Sequence, residues 1–551
     1  MKTSFHKSLN RILLLSFVFL FNTSFSQNYC YQTTINGKCQ YKYSDGFTNY
    51  DINVKGDIKV NNDDTDIKSI SAGGYLKFSK KTFGNKRSIT IESNSQGKLT
   101  YEYYEGRSKT PYEPEGRKWL AEVLLEIIHM TGIDAEGRTK RIYSKKGLDG
   151  VLEEINIISS NSVMALYFDA LLKNTSLNTN ELLAVSSSIS KEMSSNTERG
   201  RLFRDHCDLF LKDNTTAVGY FNSISKLSSN TERGSILTDI STKIDFNDPQ
   251  VTEAYFACID KMSSNTERGR ILRYAERTQE LSTQAYTRLL TSTKKLSSNT
   301  EMGSVMRSLD NLEINNPTVS TAYFNAIDGI SSNTEAGSTM RHLIKNYELN
   351  EDNYVRLLGS TKKLTSNTEM GSVLRSIKEL DLESEKINEA YFLAINSFSS
   401  NTEAGSVLRY TLRNHEMNTN SWAQFFSVTG RLTSNTEMGS VLSYTIDVMP
   451  FDDDAVVDGF FLATSKFSSN TEHGRILRTL ISNPAFNKYT AFKLLESARK
   501  ISSNTEKGSV LVKLADTEFV KDPAIKKLYM NTANTITSDS EYRRVVDKLI
   551  N

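Results

Sequence analysis

The sequence predicts an α+β protein: a small N-terminal antiparallel β-domain, then a long right-handed α-solenoid of about ten to twelve αα-hairpin repeats of 34–35 residues. Apolar and polar residues alternate from about Tyr41 to Tyr104, which indicates strands. Apolar residues follow a helical period from Arg117 onward. A polar motif of the form SSNTExG recurs at a near-constant interval, which is typical of stacked repeats. The Asn of the motif lies at Asn196, Asn230, Asn265, Asn299, Asn333, Asn367, Asn401, Asn435, Asn470 and Asn504.

The first 26 residues are predicted to be a signal peptide. Three basic residues precede an apolar run from Ile12 to Phe21, and small residues follow it. This order is typical of secretory signals, and cleavage after Ser26 would leave Gln27 as the new N-terminus. A retained membrane anchor is the alternative. The expected localisation is therefore exported, either periplasmic or secreted.

Charge and cysteine content limit the classes of partner. The sequence has 67 Lys+Arg against 65 Asp+Glu. A near-neutral chain has no bulk electrostatic reason to bind nucleic acid, and no second apolar stretch has the ~20 residues of a transmembrane segment. An oxidising compartment favours a disulfide between Cys30 and Cys39. Cys207 and Cys258 lie in helical patterns and are expected to be small buried residues.

The remaining boundaries follow from changes in pattern. We expect the β-domain at 27–107, a proline-containing linker at 108–116 and an irregular N-terminal helical cap at 117–160. The αα-hairpin repeats are expected at 161–536, with decayed motif copies near Asn161 and Asp539. A C-terminal capping helix is expected at 537–551. Atypical end repeats are usual in solenoids, because their outer faces contact water.

The motif itself predicts a capping box at the start of the second helix of each hairpin. A serine followed three residues later by glutamate allows the serine oxygen to accept the N3 amide, while the glutamate bonds back to the serine amide. The glycine two residues after the glutamate costs ~1 kcal/mol in a helix, so we expect another helix backbone close by. The structural capping pairs are Ser195 and Glu198, Ser264 and Glu267, Ser332 and Glu335, and Ser503 and Glu506.

An arginine recurs at one repeat position and is the candidate ligand-binding row. The favoured interpretation is that each arginine pairs with a glutamate of the same or the next repeat. The alternative is a row of guanidinium groups that binds carboxylates of a peptide or an acidic glycan. A longer step of 68 residues indicates that alternate hairpins present different surfaces. The candidate row comprises Arg273, Arg307, Arg341, Arg375, Arg409 and Arg478, preceded by Arg204.

The motifs of common catalytic and metal sites are missing. There is no H-E-x-x-H, no G-x-S-x-G and no phosphate-binding glycine loop. Ser-x-x-Lys recurs, as at Ser292–Lys295, because the helices end in STKKL. Tyr-Phe pairs such as Tyr323-Phe324 are expected to place one ring in the core and one at the rim, with sugar stacking as the alternative. We predict no enzyme activity, no cofactor, no metal site and no catalytic residue.

The repeat resembles that of HEAT-like bacterial α-solenoids. The SSNTExG-x-x-[LM]-R unit is similar to the S-D-x-E-[RK]-R-x-x-L repeat of exported bacterial proteins and of the ectodomains of BlaR-type sensor-peptidase relatives. TSDSEYRRVVDKL, at 537–549, is the nearest copy. The stretches at 56–78 and 119–138 resemble the β-module and first helix that precede those repeats. The resemblance implies a free-standing solenoid, because a protease domain and spanning helices are missing, and it transfers no catalytic residue.

These observations favour an exported, non-enzymatic interaction or scaffold protein that binds a protein or peptide of the cell envelope through its solenoid surface. One alternative is a cell-envelope or glycan-binding protein that uses the arginine and aromatic rows. Another is an extracytoplasmic sensor-like module. The oligomeric state stays open at this stage.

Overall fold

The computed structural model describes residues 38–44, 46–278 and 280–550. The expected signal peptide, and Cys30 of the expected disulfide with Cys39, lie outside these residues. The chain forms two compact units, Met1–Leu227 and Ser228–Asn551, which are described one after the other. The secondary structure confirms the predicted α+β class: eight described strands come first and helices follow to the C-terminus.

The first unit begins with an antiparallel sheet. Its six strands are ordered β1-β2-β5-β6-β7-β8, and β3 and β4 form a separate pair. Ile52, Phe78 and Ile89 lie opposite one another on neighbouring strands and are buried, as the period-two pattern requires. The strands are β1 (Lys38–Ser44), β2 (Thr48–Lys55), β3 (Ile58–Val60), β4 (Ile67–Ile70), β5 (Tyr75–Thr82), β6 (Asn85–Ser93), β7 (Leu99–Glu105) and β8 (Ser108–Thr110).

The segment expected as a linker, 108–116, is part of the ordered fold. Strand β8 pairs with β7, and a helical turn at Tyr112–Gly116 leads directly into helix α1 (Arg117–Thr131). Trp119 of α1 stacks on Phe78 of the sheet with ring centroids 5.5 Å apart. The sheet and α1 therefore share one core, because the apolar stripe of α1 covers the buried face of the sheet.

Helices complete the first unit. Helix α2 loses helical geometry at Gly147, whose φ of 65° lies in the left-handed region that favours glycine. The repeat pattern begins within this unit, since the decayed motif copy at Asn161 starts a helix. The helices are α2 (Ala135–Ile157), α3 (Asn161–Asn174), α4 (Thr179–Glu192), α5 (Asn196–Asp205), α6 (Cys207–Phe210) and α7 (Asn214–Ile224).

The second unit is a stack of αα-hairpins. We call the first helix of each hairpin the A helix and the second, which starts at the motif position, the B helix. The A helices are α9 (Pro249–Asp260), α11 (Thr283–Lys294), α13 (Pro317–Ile327), α15 (Glu351–Thr361), α17 (Glu385–Asn396), α19 (Thr419–Thr429), α21 (Asp454–Thr464), α23 (Lys488–Arg499) and α25 (Pro523–Ala533). The B helices are α8 (Asn230–Asp239), α10 (Asn265–Thr278), α12 (Asn299–Met306), α14 (Asn333–Asn346), α16 (Asn367–Leu374), α18 (Asn401–Asn414), α20 (Asn435–Ile446), α22 (Asn470–Ile481), α24 (Asn504–Ala515) and α26 (Asp539–Ile550).

Stacking buries both flanks of each hairpin. A helices pack on the A helices of neighbouring hairpins, and B helices pack on B helices. The apolar positions of α13 and α14, such as Tyr323, Ile327 and Met340, are fully or almost fully buried as a result. Cys258 is also buried, and burial raises the pKa of its thiol to about 12. The hairpins are therefore interdependent, because none could bury its apolar faces alone.

Candidate functional site

The asparagine of the motif joins its own repeat to the next one. Asn333 Nδ2 donates to Thr365 Oγ1 at 2.9 Å, and its Oδ1 accepts from the Thr365 amide at 2.8 Å. The same two-way bond recurs from Asn265 to Ser297 and from Asn470 to Ser502. Because the asparagine is the first residue of the B helix, its side chain can extend beyond the helix end and contact the following hairpin. The motif asparagine is thus a structural bridge.

The serine of the motif is the N-cap of the B helix. Its oxygen accepts the amide of the residue three positions on, as between Ser332 and Glu335 at 3.4 Å. At 3.3 Å the same bond joins three further pairs, Ser195 to Glu198, Ser264 to Glu267 and Ser503 to Glu506. Each cap satisfies one of the amides that a helix start leaves without a partner, and contributes roughly 0.5–2 kcal/mol.

The expected second half of the capping box does not form at these serines. Among the described helices, a complete reciprocal box occurs at Asn178 and Glu181. At Ser195 the amide donates instead to Oδ1 of the preceding Asn161 at 2.9 Å, and the Ser366 amide donates to Asn333 in the same way at 3.2 Å. The expected return bonds of Glu198, Glu267, Glu335 and Glu506 are therefore wrong. Their carboxylates bind arginine instead, since a charged partner is the stronger hydrogen-bond donor.

The arginine row pairs with motif glutamates across the repeat junctions. In each case a guanidinium Nη1 lies 2.6–3.0 Å from the glutamate of the next repeat, and the arginine side chains are 19–30% exposed. The geometry is thus that of arginines paired with glutamates of the next repeat, which is the interpretation favoured from the sequence. These pairs neutralise most of the charge of the row within the protein. The pairs are Arg273–Glu301, Arg307–Glu335, Arg341–Glu369, Arg375–Glu403, Arg409–Glu437 and Arg478–Glu506.

Where the row lacks an arginine, another arginine replaces it from the B helix of the following repeat. Thr238 occupies the row position before Glu267, and Arg270, three residues after that glutamate, binds it at 2.7 Å. Ser443 precedes Glu472, which binds Arg475 at 2.7 Å. Val512 precedes Glu541, which binds Arg544 in the same way. Each of these glutamates therefore binds one arginine, either from the row position of the preceding repeat or from three residues further along its own helix. This indicates that stacking requires the ion pair.

The glycine of the motif makes room for that carboxylate. A Cβ at Gly371 would lie 2.5 Å from Glu403 Oε2, and a Cβ at Gly474 would lie equally close to Glu506. The expectation that a helix backbone approaches the glycine is wrong, because the close neighbour is a side chain of the next repeat. A glycine is thus required here because a Cβ atom would collide with the carboxylate, although glycine is unfavourable in a helix.

B helices alternate in length from α10 to α18. Three long helices, α10, α14 and α18, have 14 residues, whereas α12 and α16 between them have 8. The extra turn supplies side chains that satisfy backbone groups released where the short helices end. Tyr410 Oη donates to Ile377 O at 3.1 Å, and Glu276 accepts from the Asp310 amide at 3.1 Å. A pair of hairpins is therefore the structural repeat, which explains the 68-residue period.

The last turn of each long B helix also carries an aromatic residue and a base on the surface. Burial, reinforced by the charge of Arg307, lowers the pKa of His342 and favours its neutral form. The Arg413 guanidinium lies 4.7 Å from the centre of the Tyr444 ring. Because the three helices are spaced 68 residues apart, equivalent positions recur on one face. We call them the basic–aromatic positions: Tyr274 and Arg277, His342 and Lys345, and Tyr410 and Arg413.

The Tyr-Phe pairs of the A helices do not form a stacking platform. Tyr323 is fully buried and Phe324 is 4% exposed, so neither ring lies at the rim as expected. Tyr391 and Phe392 are equally enclosed, and burial raises the pKa of Tyr391. These rings contribute to the core between stacked hairpins.

A buried charge cluster lies in the first unit and was not recognised from the sequence. Glu154 of α2 binds His129 of α1 at 2.5 Å and Arg138 at 2.9 Å. Burial alone would raise the pKa of Glu154, but these two partners outweigh burial and lower the pKa from 4.5 to about 2. Arg138 also binds Asp64 in the turn between β3 and β4. The cluster therefore connects α2 to the β3–β4 pair and borders a polar cleft of about 260 Å³.

The described residues contain no group of three or more metal-binding side chains. In the same part of the chain, no helix is long and apolar enough to cross a membrane.

Comparison with known proteins leaves the chain without a family. No family model matches it, and neither does any curated protein. Among solved structures, a chain of the AP-3 complex, a homology model in an intermediate open conformation, matches at 13% identity over 79% of this chain and 95% of that one, with a TM-score of 0.26. A chain of the Chs5–Bch1 exomer cargo adaptor complex matches at 10% identity over 86% and 84%, with a TM-score of 0.14. Similarities this low support no argument about function.

Proposed function

We propose that the chain is an exported, non-enzymatic interaction scaffold that binds an acidic protein or peptide of the cell envelope through its B-helix face. The observation that supports this most is the recurrence of the basic–aromatic positions on the three long B helices α10, α14 and α18. They lie beside an arginine row whose members are already paired. The surface thus separates into a row of arginines that are paired with glutamates and a row of bases, Arg277, Lys345 and Arg413, that form no ion pair within the described residues.

The basic side chains at these positions are available to bind the carboxylates of a partner. In the described part of the chain, no carboxylate lies within ion-pair distance of Arg277, Lys345 or Arg413. Each is exposed in the final turn of its helix. Arginine and lysine next to an aromatic ring suit a carboxylate attached to an apolar segment, because the ring binds the chain while the cation binds the charge.

The stacking interval predicts the spacing of the partner's acidic residues. Neighbouring B helices pack roughly 8–10 Å apart, so positions on alternate hairpins are roughly 16–20 Å apart. An extended peptide advances about 3.3 Å per residue. Acidic residues about five or six positions apart would therefore meet successive bases. The Asn and Arg–Glu contacts between repeats hold these positions in place before binding, which reduces the entropy cost of association.

A protein partner is favoured over a glycan. Sugar recognition usually uses an exposed aromatic face, whereas the Tyr-Phe pairs are enclosed in the core. The basic–aromatic positions offer one ring each, which suits a side chain better than a pyranose plane.

The test compares two charge-reversed variants of the same chain. Arg277→Glu, Lys345→Glu and Arg413→Glu change the basic–aromatic positions, while Arg356→Glu, Lys526→Glu and Lys527→Glu make an equal change on exposed positions of A helices. Fluorescence anisotropy with synthetic peptides that carry Glu every five or six residues should show binding to the wild type and the second variant. Binding should weaken about tenfold or more in the first. Equal binding by both variants, or no binding to the wild type, would reject the proposal.

Export is tested separately. Fractionation of producing cells followed by N-terminal sequencing should find the chain outside the cytoplasm, starting at Gln27. A chain that keeps Met1 in the cytoplasm would contradict this part of the proposal.

A further inference from the structure

The hairpins of the second unit carry opposite charges at their two ends. Each A helix runs from a connection that follows a B helix to a short turn that precedes the next B helix. The two kinds of connection therefore lie at opposite ends of A helices 11–12 residues long, or roughly 15–20 Å apart. We call the short-turn side the basic edge and the other side the acidic edge.

The basic edge takes its charge from the turns between A and B helices. The carboxylates on this edge form ion pairs with neighbouring lysines: Asp260 binds Lys295 at 2.7 Å and Asp328 binds Lys363 at 2.5 Å. Other bases on this edge are exposed and have no carboxylate within ion-pair distance in the described part of the chain. These are Lys294, Lys362, Arg431, Lys466 and Lys500.

The acidic edge takes its charge from the connections between B and A helices. Each of these segments contains an exposed acid, such as Glu313, which lies between the buried residues Leu312 and Ile314. None of these acids forms an ion pair within the described residues. Successive hairpins supply Asp245, Glu280, Glu313, Glu348, Asp381, Glu416 and Asp452. Arg277, Lys345 and Arg413 lie three residues before Glu280, Glu348 and Glu416, so the excess of acid is concentrated in the connections after α12, α16 and α20, where Glu379 and Glu383 add to it.

We propose that two copies of this chain associate side by side, with the basic edge of one against the acidic edge of the other. Both edges have the same period, because each hairpin contributes one turn and one connection. A second copy placed alongside can therefore bring Glu313, Asp381 and Asp452 to Lys294, Lys362 and Arg431 at every second hairpin without adjustment of the spacing. Such a contact is heterologous, so each copy keeps one edge open and further copies can add.

Many weak pairs acting together would make this association reversible and dependent on salt. A single exposed ion pair contributes little, about 0–1 kcal/mol. Once the first pair forms, the following pairs are intramolecular and add to it. Added salt shortens the Debye length from about 10 Å at 0.1 M to about 3 Å at 1 M, which weakens all pairs at once.

The test uses two variants with reversed edges. Lys294→Glu, Lys362→Glu, Arg431→Glu and Lys466→Glu reverse the basic edge. Glu313→Lys, Glu379→Lys, Glu383→Lys and Asp452→Lys reverse the acidic edge. Sedimentation velocity of the wild-type chain should show concentration-dependent association at about 50 mM NaCl that disappears at about 500 mM. Each variant alone should stay monomeric, since both of its edges then carry the same sign.

A mixture of the two variants is the decisive measurement. One variant has two acidic edges and the other has two basic edges, so the mixture should associate again at low salt. This recovery also shows that both variants are folded. The proposal is overturned if the wild type stays monomeric at low salt, if either variant associates as the wild type does, or if the mixture does not recover association. It stands apart from peptide binding, which the edge variants should keep.

Discussion

Arg307 and Glu335 lie 28 residues apart in sequence and form an ion pair of 2.9 Å between consecutive hairpins. Arg307 also donates to Thr339 Oγ1 at 3.2 Å, so one guanidinium group binds the first and second turns of the following B helix. Since each side chain is roughly one-quarter exposed, water screens the pair only in part. The pair therefore helps to set the position of one hairpin on the next.

The two sources of arginine predict a rescue experiment. Arg307→Ala should destabilise the junction by about 1–2 kcal/mol, because the half-buried Glu335 then loses its charged partner. Ser338 lies three residues after Glu335, at the position that Arg270 occupies relative to Glu267. Adding Ser338→Arg to Arg307→Ala should thus recover most of the loss in thermal unfolding. A double variant no more stable than Arg307→Ala alone would show that the two arrangements are not equivalent.

Removal of a motif asparagine should loosen one junction. Asn333→Ala deletes the bonds to the Thr365 side chain and to the amides of Thr365 and Ser366. Hydrogen exchange at these two amides should accelerate about tenfold, which corresponds to about 1.4 kcal/mol. Thr334→Ala, at the exposed neighbouring residue, is the matched control and should leave their exchange unchanged. Similar acceleration in both variants would contradict the bridging role.

Glycine substitutions should have opposite signs at two sites. Gly405→Ala should destabilise the fold, since its Cβ would collide with the Glu437 side chain, to which its three nearest atoms belong. Gly359 lies inside helix α15 with no atom near its Cβ position, so Gly359→Ala should stabilise the protein by about 0.5–1 kcal/mol. Denaturant unfolding measures both. In a Glu437→Ala background the penalty at Gly405 should largely disappear, and its persistence would mean that another neighbour is responsible.

Acid should weaken the first unit through Glu154. Its pKa is lowered to about 2 in the folded chain, so its contribution is fully present above pH 4.5 and is lost as the pH falls toward 2. Glu154→Gln should remove this part of the acid dependence and destabilise the unit near neutral pH. With Trp422→Phe as the background, Trp119 fluorescence reports on this unit. An unchanged acid transition in Glu154→Gln would assign the dependence to other groups.

The sequence by itself determined the class of fold, the repeat interval and the position of each B helix. These follow from local rules, because strand and helix periods and the N-cap serine depend on residues within a few positions of one another. The apolar stripe of α1 and the 68-residue alternation were also visible in this way. The signal peptide stays a prediction.

The tertiary structure decided which partner each polar group takes. Glu335 satisfies the local pattern of a capping box, yet it binds Arg307 from the preceding hairpin, because stacking brings an arginine within 2.9 Å. The same holds for the motif glycine, whose neighbour is a carboxylate from the next repeat, and for Glu154, whose partners lie 16 and 25 residues away. Local sequence patterns specify which helix position a polar side chain occupies, whereas packing between distant segments determines which group it binds.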